Sequence, residues 1–204
     1  MRDLIAGAVR FSLVTWIMCG LVYPLVVNGF AQALFPAQAN GSLIRASDGT
    51  IVGSYRIGQN WTDPRWFHGR PSATLGADPA DPDKTISAPY NASNSGASNL
   101  GPTSRDLWQR LMTDRKALDS EYPAIAGRKI PSDFLTTSAS GLDPDISIAN
   151  AMLQAPRIAA ARGISADEVR SLINDHIVGR DLGVLGEPRV NVLELNLALQ
   201  RATR

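Results

Sequence analysis

The strings in this sequence that could do chemistry are few, and each lacks a part. Ser138-Ala139-Ser140-Gly141 offers two hydroxyls, but a nucleophilic serine needs a base within reach, and no local base or G-x-S-x-G elbow accompanies it. Asp78, Asp81 and Asp83 carry oxygen ligands that suit calcium, yet they lack the D-x-D-x-D-G spacing and the trailing Glu, so they read as a solvated loop. The two histidines, His68 and His176, and the single cysteine, Cys19, are too few for a zinc set, and one cysteine makes no disulfide. No G-x-x-x-x-G-K-[ST] string is present to cradle phosphates, and no H-E-x-x-H to hold zinc. The sequence therefore assigns no catalytic, cofactor-binding or metal-ligating residue.

Two further strings are weaker still. Asp83-Lys84-Thr85 matches the start of the phosphorylated Asp-Lys-Thr-Gly-Thr of P-type pumps, but it continues Ile86-Ser87 and a pump's other domains are missing. Asn40, Asn60 and Asn91 head N-x-[ST] triplets, which matter only in a glycosylating secretory pathway.

The element that organises the rest is Phe11 to Phe35, a run without Asp, Glu, Lys, Arg or His. As a helix it would reach roughly 37 Å, enough to cross a hydrocarbon core of about 30 Å with tilt. Its Leu, Ile, Val and Phe residues together favour insertion by roughly 4 to 7 kcal/mol, of which Pro24, Asn28 and Gln32 take back a share. The alternative is a cleaved signal peptide ending at Ala37-Gln38-Ala39, although the apolar run outlasts a signal's short h-region. Arg2 and Arg10 precede the run against a single Asp3, so residues 1–10 are expected in the cytoplasm, 11–35 across the membrane, and 36–204 outside.

The roughly 170 residues after the span suffice for one domain with its own core. Lys and Arg total 20 against 19 Asp and Glu, a formal net charge of +1. That balance argues against a nucleic-acid partner, which wants a basic surplus.

Within that domain, Ser42 to Ala46 and Thr50 to Ile57 flank Ser47-Asp48-Gly49 and read as a hairpin close to the lipid surface. Trp61 to Arg70 holds three aromatics, His68 and two arginines, a stretch that is either packed core or contact surface. Gly76 to Thr103 reads as a long loop without secondary structure, functional or disordered. Thr103 with Asp106 reads as a capping-box variant for a helix with stripe Leu107, Trp108, Leu111, Met112, Leu118 and Tyr122, ended by Pro123. Asp133 to Ser138 reads as a short strand, followed by a turn over Ser140 to Pro144.

Ser147 caps a second helix that Pro156 must kink or restart and Gly163 stops. Ser165 and Glu168 form a capping box for a third, with His176 a hydrogen-bonded residue at the core edge. Asn191 with Glu194 caps a last helix from Val192 to about Arg201 after a brief extended run. The fold class is thus α+β: one N-terminal transmembrane helix, then a single mixed extracytoplasmic domain with a hairpin and several helices.

Five longer strings are more specific than any of these rules. They are Phe67-His68-Gly69-Arg70-Pro71-Ser72-Ala73, Ser98-Asn99-Leu100-Gly101-Pro102-Thr103, Thr137 to Pro144 (TSASGLDP), Gln154 to Arg162 (QAPRIAAAR) and Leu185 to Asn196 (LGEPRVNVLELN). In content and order they resemble the C subunits of Kdp potassium-transporting ATPases, and the resemblance covers nearly the whole chain. Asp145 stands where that family often has His, and Ala97 where a second Gly is usual.

The resemblance implies a single-pass protein of the bacterial inner membrane, an accessory subunit beside a P-type pump subunit and a potassium-channel-like subunit. It implies no cofactor of the chain's own, ATP and potassium being handled by the complex. It further implies a role in assembly and in raising the pump's affinity for ATP. The residues alone leave two other classes open, a membrane-anchored extracytoplasmic enzyme and a secreted binding module.

Overall fold

The computed structural model describes residues 1–46 and 48–202, so Ser47, one of the three expected turn residues, lies outside the described residues together with Thr203 and Arg204. The chain divides into two compact units, Met1–Ser54 and Tyr55–Arg204.

The first unit is dominated by an unbroken apolar helix, Arg2–Leu34, long enough to cross a membrane. At 1.5 Å per residue it spans about 50 Å, and it begins well before the charge-free run. It is built from α1 (Arg2–Ile17), a π-helical turn (Met18–Val22) and α2 (Tyr23–Leu34). The π turn has a local cause. Pro24 has no N–H to donate to Gly20, and its ring would press on that carbonyl in a regular α-helix. Widening the preceding turn, with Tyr23 N–H donating to Met18 O, accommodates the ring and keeps the helix continuous. The short α3 (Pro36–Ala39) follows, and Asn40 Nδ2 donates back to Gln32 Oε1 at 3.0 Å and to Pro36 O at 2.7 Å.

The hairpin expected next is present, with β1 (Leu43–Arg45) antiparallel to β2 (Ile51–Ser54). Asp48 Oδ1 holds its turn by accepting from Thr50 N–H at 2.9 Å and Thr50 Oγ1 at 2.6 Å, while Gly49 takes the left-handed φ of +84°.

In the second unit, residues 55–74 run without regular structure, and then the sequence reading is corrected. Instead of an open loop from Gly76, β3 (Leu75–Asp78) pairs antiparallel with β4 (Asp81–Ser87). Asp78 Oδ1 accepts from Ala80 N–H at 2.8 Å and so folds the tight turn. The strands are mostly exposed, so no alternation of apolar residues announces them. Residues 88–103 remain irregular.

The helix α4 (Arg105–Glu121) is capped by Ser104, whose Oγ accepts from Leu107 N–H, one residue later than the sequence reading placed the cap. None of its residues is buried, and Trp108 and Met112 of its apolar stripe are exposed. Pro123 ends it by opening a 3-10 turn, Pro123–Ile125.

Asp133 to Ser138 is not a strand. Ser132–Phe134 forms a 3-10 turn because the Asp133 carboxylate reaches the start of the next helix, accepting from Ser147 N–H at 2.8 Å, Ser147 Oγ at 3.0 Å and Asn150 Nδ2 at 3.0 Å.

The core lies in the C-terminal half. β5 (Asp145–Ser147) leads into α5 (Ile148–Arg162), which runs through Pro156 as one helix and stops at Gly163, φ +68°. α6 (Ala166–Asp175) starts at the expected Ser165–Glu168 capping box. β6 (Ile177–Val178), β7 (Arg189–Asn191) and α7 (Val192–Ala202) complete the chain, with Asn191 Oδ1 accepting from Glu194 N–H at 3.1 Å. The sheet order is β5-β7-β6, antiparallel, with Ile146 opposite Val190. Ala151, Ala155 and Ile158 of α5, Val169 and Ile173 of α6, and Leu195 and Leu199 of α7 close the core around Phe67. At about 25 cal/mol per Å² of buried apolar surface, this cluster is the unit's main source of stability. A mixed helix-and-sheet domain behind one apolar helix is the expected class.

Candidate functional site

The stretch 61–74 has no strand or helix to satisfy its backbone, so side chains must do it. Phe67, fully buried, donates its N–H to Asn196 Oδ1 at 2.8 Å and accepts from Asn196 Nδ2 at 3.0 Å. His68 is held the same way by Gln154, N–H to Oε1 at 2.8 Å and Nε2 to His68 O at 3.0 Å. Each amide thus imitates the edge of a β-strand. Arg157 adds bonds to Pro64 O and, at 2.9 Å, to Trp66 O, and Arg162 Nε donates to Arg65 O at 2.8 Å. The Arg162 guanidinium also lies 4.3 Å from the Trp66 ring centre.

Further along, Arg70 pairs with Asp143 at 3.0 Å and donates to Thr137 O at 3.2 Å. Ser72 Oγ donates to Gly141 O at 2.7 Å and accepts from Tyr90 N–H at 3.0 Å. Tyr90 OH donates to Arg70 O at 2.7 Å, and burial pushes its phenol up to about 12. Gly141 is required: its φ is +67°, and a Cβ there would lie 2.5 Å from Thr74 Cγ2 and 2.7 Å from Gly96 O.

Four of the five long strings therefore meet. Phe67 to Ala73 is the hub, and the strings beginning at Thr137, Gln154 and Leu185 each bond to it. Ser98 to Thr103 makes no such bond among the described residues. Sequence reasoning left the aromatic stretch open between core and contact surface. Phe67 is core, and Trp61 and Trp66, with ring centres 5.2 Å apart, pack against the same cluster. Asn196, Gln154 and Arg157 were missed as its anchors, although they sit inside the recognised strings.

The groups with chemical potential do not converge. Ser138 Oγ accepts from Gly141 N–H at 2.9 Å as a turn holder, and Ser140 Oγ accepts from Leu142 N–H at 3.1 Å. Lys84 pairs with Asp81 at 2.7 Å on the β3–β4 hairpin. His176 Nδ1 bonds to Leu172 O at 2.8 Å. Among the described residues, no three His, Cys, Asp or Glu side chains form a metal set.

One cavity, of about 330 Å³, is lined by Trp61, His68, Arg70, Ser72, Tyr90 and Tyr122. His68 Nε2 lies 3.1 Å from Asp63 O, which makes it the protonated nitrogen and leaves Nδ1 facing Glu121 at 3.8 Å. Burial, and then the Arg157 charge, lower the His68 pKa. Tyr122 OH has no hydrogen bond of good geometry, and burial raises its pKa strongly. The arrangement fixes a loop, with Asn196, Gln154 and Arg157 bonding to the backbone of residues 64–68.

Comparison with known proteins matches residues 5–201 to the family model "K+-transporting ATPase, c chain". A potassium-transporting ATPase KdpC subunit from Rhodopseudomonas palustris (strain BisB5) is 56% identical over 200 residues, covering 98% of each chain. One from Bradyrhizobium diazoefficiens is 56% identical over 198 residues, 97% of this chain and 96% of its own. One from Methylorubrum extorquens is 59% identical over 180 residues, 88% of each.

Proposed function

The chain belongs to the family of K+-transporting ATPase c chains, and on that premise we propose that it is a non-catalytic accessory subunit that stabilises the potassium-transporting complex and raises its affinity for ATP. Its partners on this reading are a P-type pump subunit and a potassium-channel-like subunit. It carries no cofactor itself. The observation that carries the reading is the near full-length family match over an apolar helix and a domain whose polar groups bond chiefly to one another.

The helix anchors the chain as a single-pass membrane protein. With Arg2 and Arg10 ahead of the span, the N-terminus lies in the cytoplasm and the domain in the periplasm, as expected for a bacterial inner-membrane complex. A periplasmic domain cannot touch cytoplasmic ATP. Its effect on ATP affinity is then a linkage: the chain binds the ATP-competent state of the pump more tightly than the alternative, and ATP binding strengthens assembly by the same factor.

Purification of the complex in mild detergent with and without this chain tests the proposal. With the chain present, the two large subunits co-purify and the KM for ATP is lower. An unchanged KM removes the regulatory role, and ATP hydrolysis by the domain alone removes the accessory one. Protease added to intact spheroplasts should digest the domain, and full protection would reverse the topology.

A further inference from the structure

The segment Gly179–Pro188 joins β6 to β7 and is more ordered than a connecting loop needs to be. Asp181 and Leu185 form a β-bridge, each donating its N–H to the other's carbonyl at 2.9 Å. Gly183 N–H donates to Arg180 O at 3.1 Å, and Arg180 pairs with Glu187 at 2.8 Å across the base. Arg189 ties Asp181 to the sheet at 3.4 Å.

This frame holds apolar side chains away from the domain. Leu182 is 90% exposed, Val184 72% and Leu185 57%. Leu182 also sits at φ +52°, a left-handed conformation that glycine adopts without strain and a leucine does not. Strained residues of this kind persist where the surroundings fix them, and they gather at binding features. A leucine held in a glycine's conformation, with its side chain in water, gains nothing for the isolated fold.

We infer that the Arg180–Glu187 tip is a preformed apolar prong that inserts Leu182 and Val184 into an uncharged cleft on another subunit of the complex. The inference rests on the subunit reading above. Three features select a protein cleft over a lipid surface. The charges at the base are paired within the chain, leaving no basic excess to attract anionic headgroups. The tip carries no Trp or Tyr, the residues that favour a membrane interface. Its shape is fixed before contact, which suits a complementary solid surface and lowers the ordering cost of docking.

The test uses the full chain, co-expressed with the other subunits and purified in mild detergent. Leu182→Gly removes the prong while relieving the strain, so the variant should melt no lower than the parent. Combined with Val184→Ser it should raise the apparent Kd for the large subunits at least tenfold. A photoreactive residue in place of Val184 should form an adduct with a subunit polypeptide. An unchanged Kd, or adducts with lipid alone, overturns the prong. A parent chain that fails to assemble at all overturns the subunit reading and the prong with it. Normal assembly of both parent and variant overturns the prong alone.

Discussion

Phe67 and Asn196 exchange two hydrogen bonds, of 2.8 and 3.0 Å, across 129 residues of sequence, and both are fully buried. The amide of one residue on α7 thereby serves as the strand partner that the aromatic stretch otherwise lacks. Asn196→Ala would strand a buried N–H and a buried carbonyl together. At about 1 to 3 kcal/mol for each unsatisfied group, a loss of roughly 2 to 6 kcal/mol is expected. Urea unfolding of the detergent-solubilised chain measures it, and a change within about 0.5 kcal/mol, the range of an inert surface substitution, would show that the clamp carries no weight.

Trp66→Ala should lower the melting temperature by several degrees, because Trp66 packs on Trp61, on the core and under Arg162. A full truncation of a buried aromatic costs about 3 to 5 kcal/mol, and a part-buried one less. Complex recovery should fall only as far as stability does. Lost recovery at an unchanged melting temperature would return the residue to the contact surface.

In the anchor, Asn28 is exposed and makes no side-chain hydrogen bond among the described residues, while Gln32 is already engaged by Asn40. A Cβ added at Gly20 or Gly29 would meet nothing within 4 Å, so a neighbouring helix can approach there. Asn28→Leu should weaken co-purification with the large membrane subunits, and Gln32→Leu should do so less. Equal recovery of both variants and parent would mark the helix as a passive tether.

His68 has a folded-state pKa below its unfolded value, owing first to burial and then to Arg157. The unfolded chain therefore binds the proton more readily, and stability should fall as pH drops through about 6.5, the unfolded pKa, toward the lower folded value. His68→Gln should flatten that part of the stability–pH curve. An identical slope in the variant would assign the proton uptake to another group.

What could be read from the sequence was what local rules govern. Ser147, Ser165 and Asn191 start their helices and Gly163 ends one, because a cap acts over three or four residues. The β3–β4 hairpin escaped because its strands are mostly exposed and its turn rests on one Asp78 side chain. Asp133 to Ser138 has the composition of a strand, but Asp133 spends its carboxylate on the α5 N-terminus, a contact 14 residues away. The clamps on Phe67 and His68 could not be derived from pattern at all. They join residues 129 and 86 positions apart, and a buried Asn or Gln gives no sign in sequence of which backbone it will meet.

The π turn at Met18–Val22 also changes how the anchor must be drawn. An α-helix advances 100° of azimuth per residue, and a π bulge inserts one residue without adding a turn. Side chains after Tyr23 are therefore displaced by about 100° from where a helical wheel continued from α1 would put them. Leu13 and Asn28, compared on such a wheel, would be assigned the wrong relative bearing. A stripe of side chains followed along α1 therefore does not continue in line along α2, and a neighbour packed on that stripe meets a different face of the helix beyond Pro24.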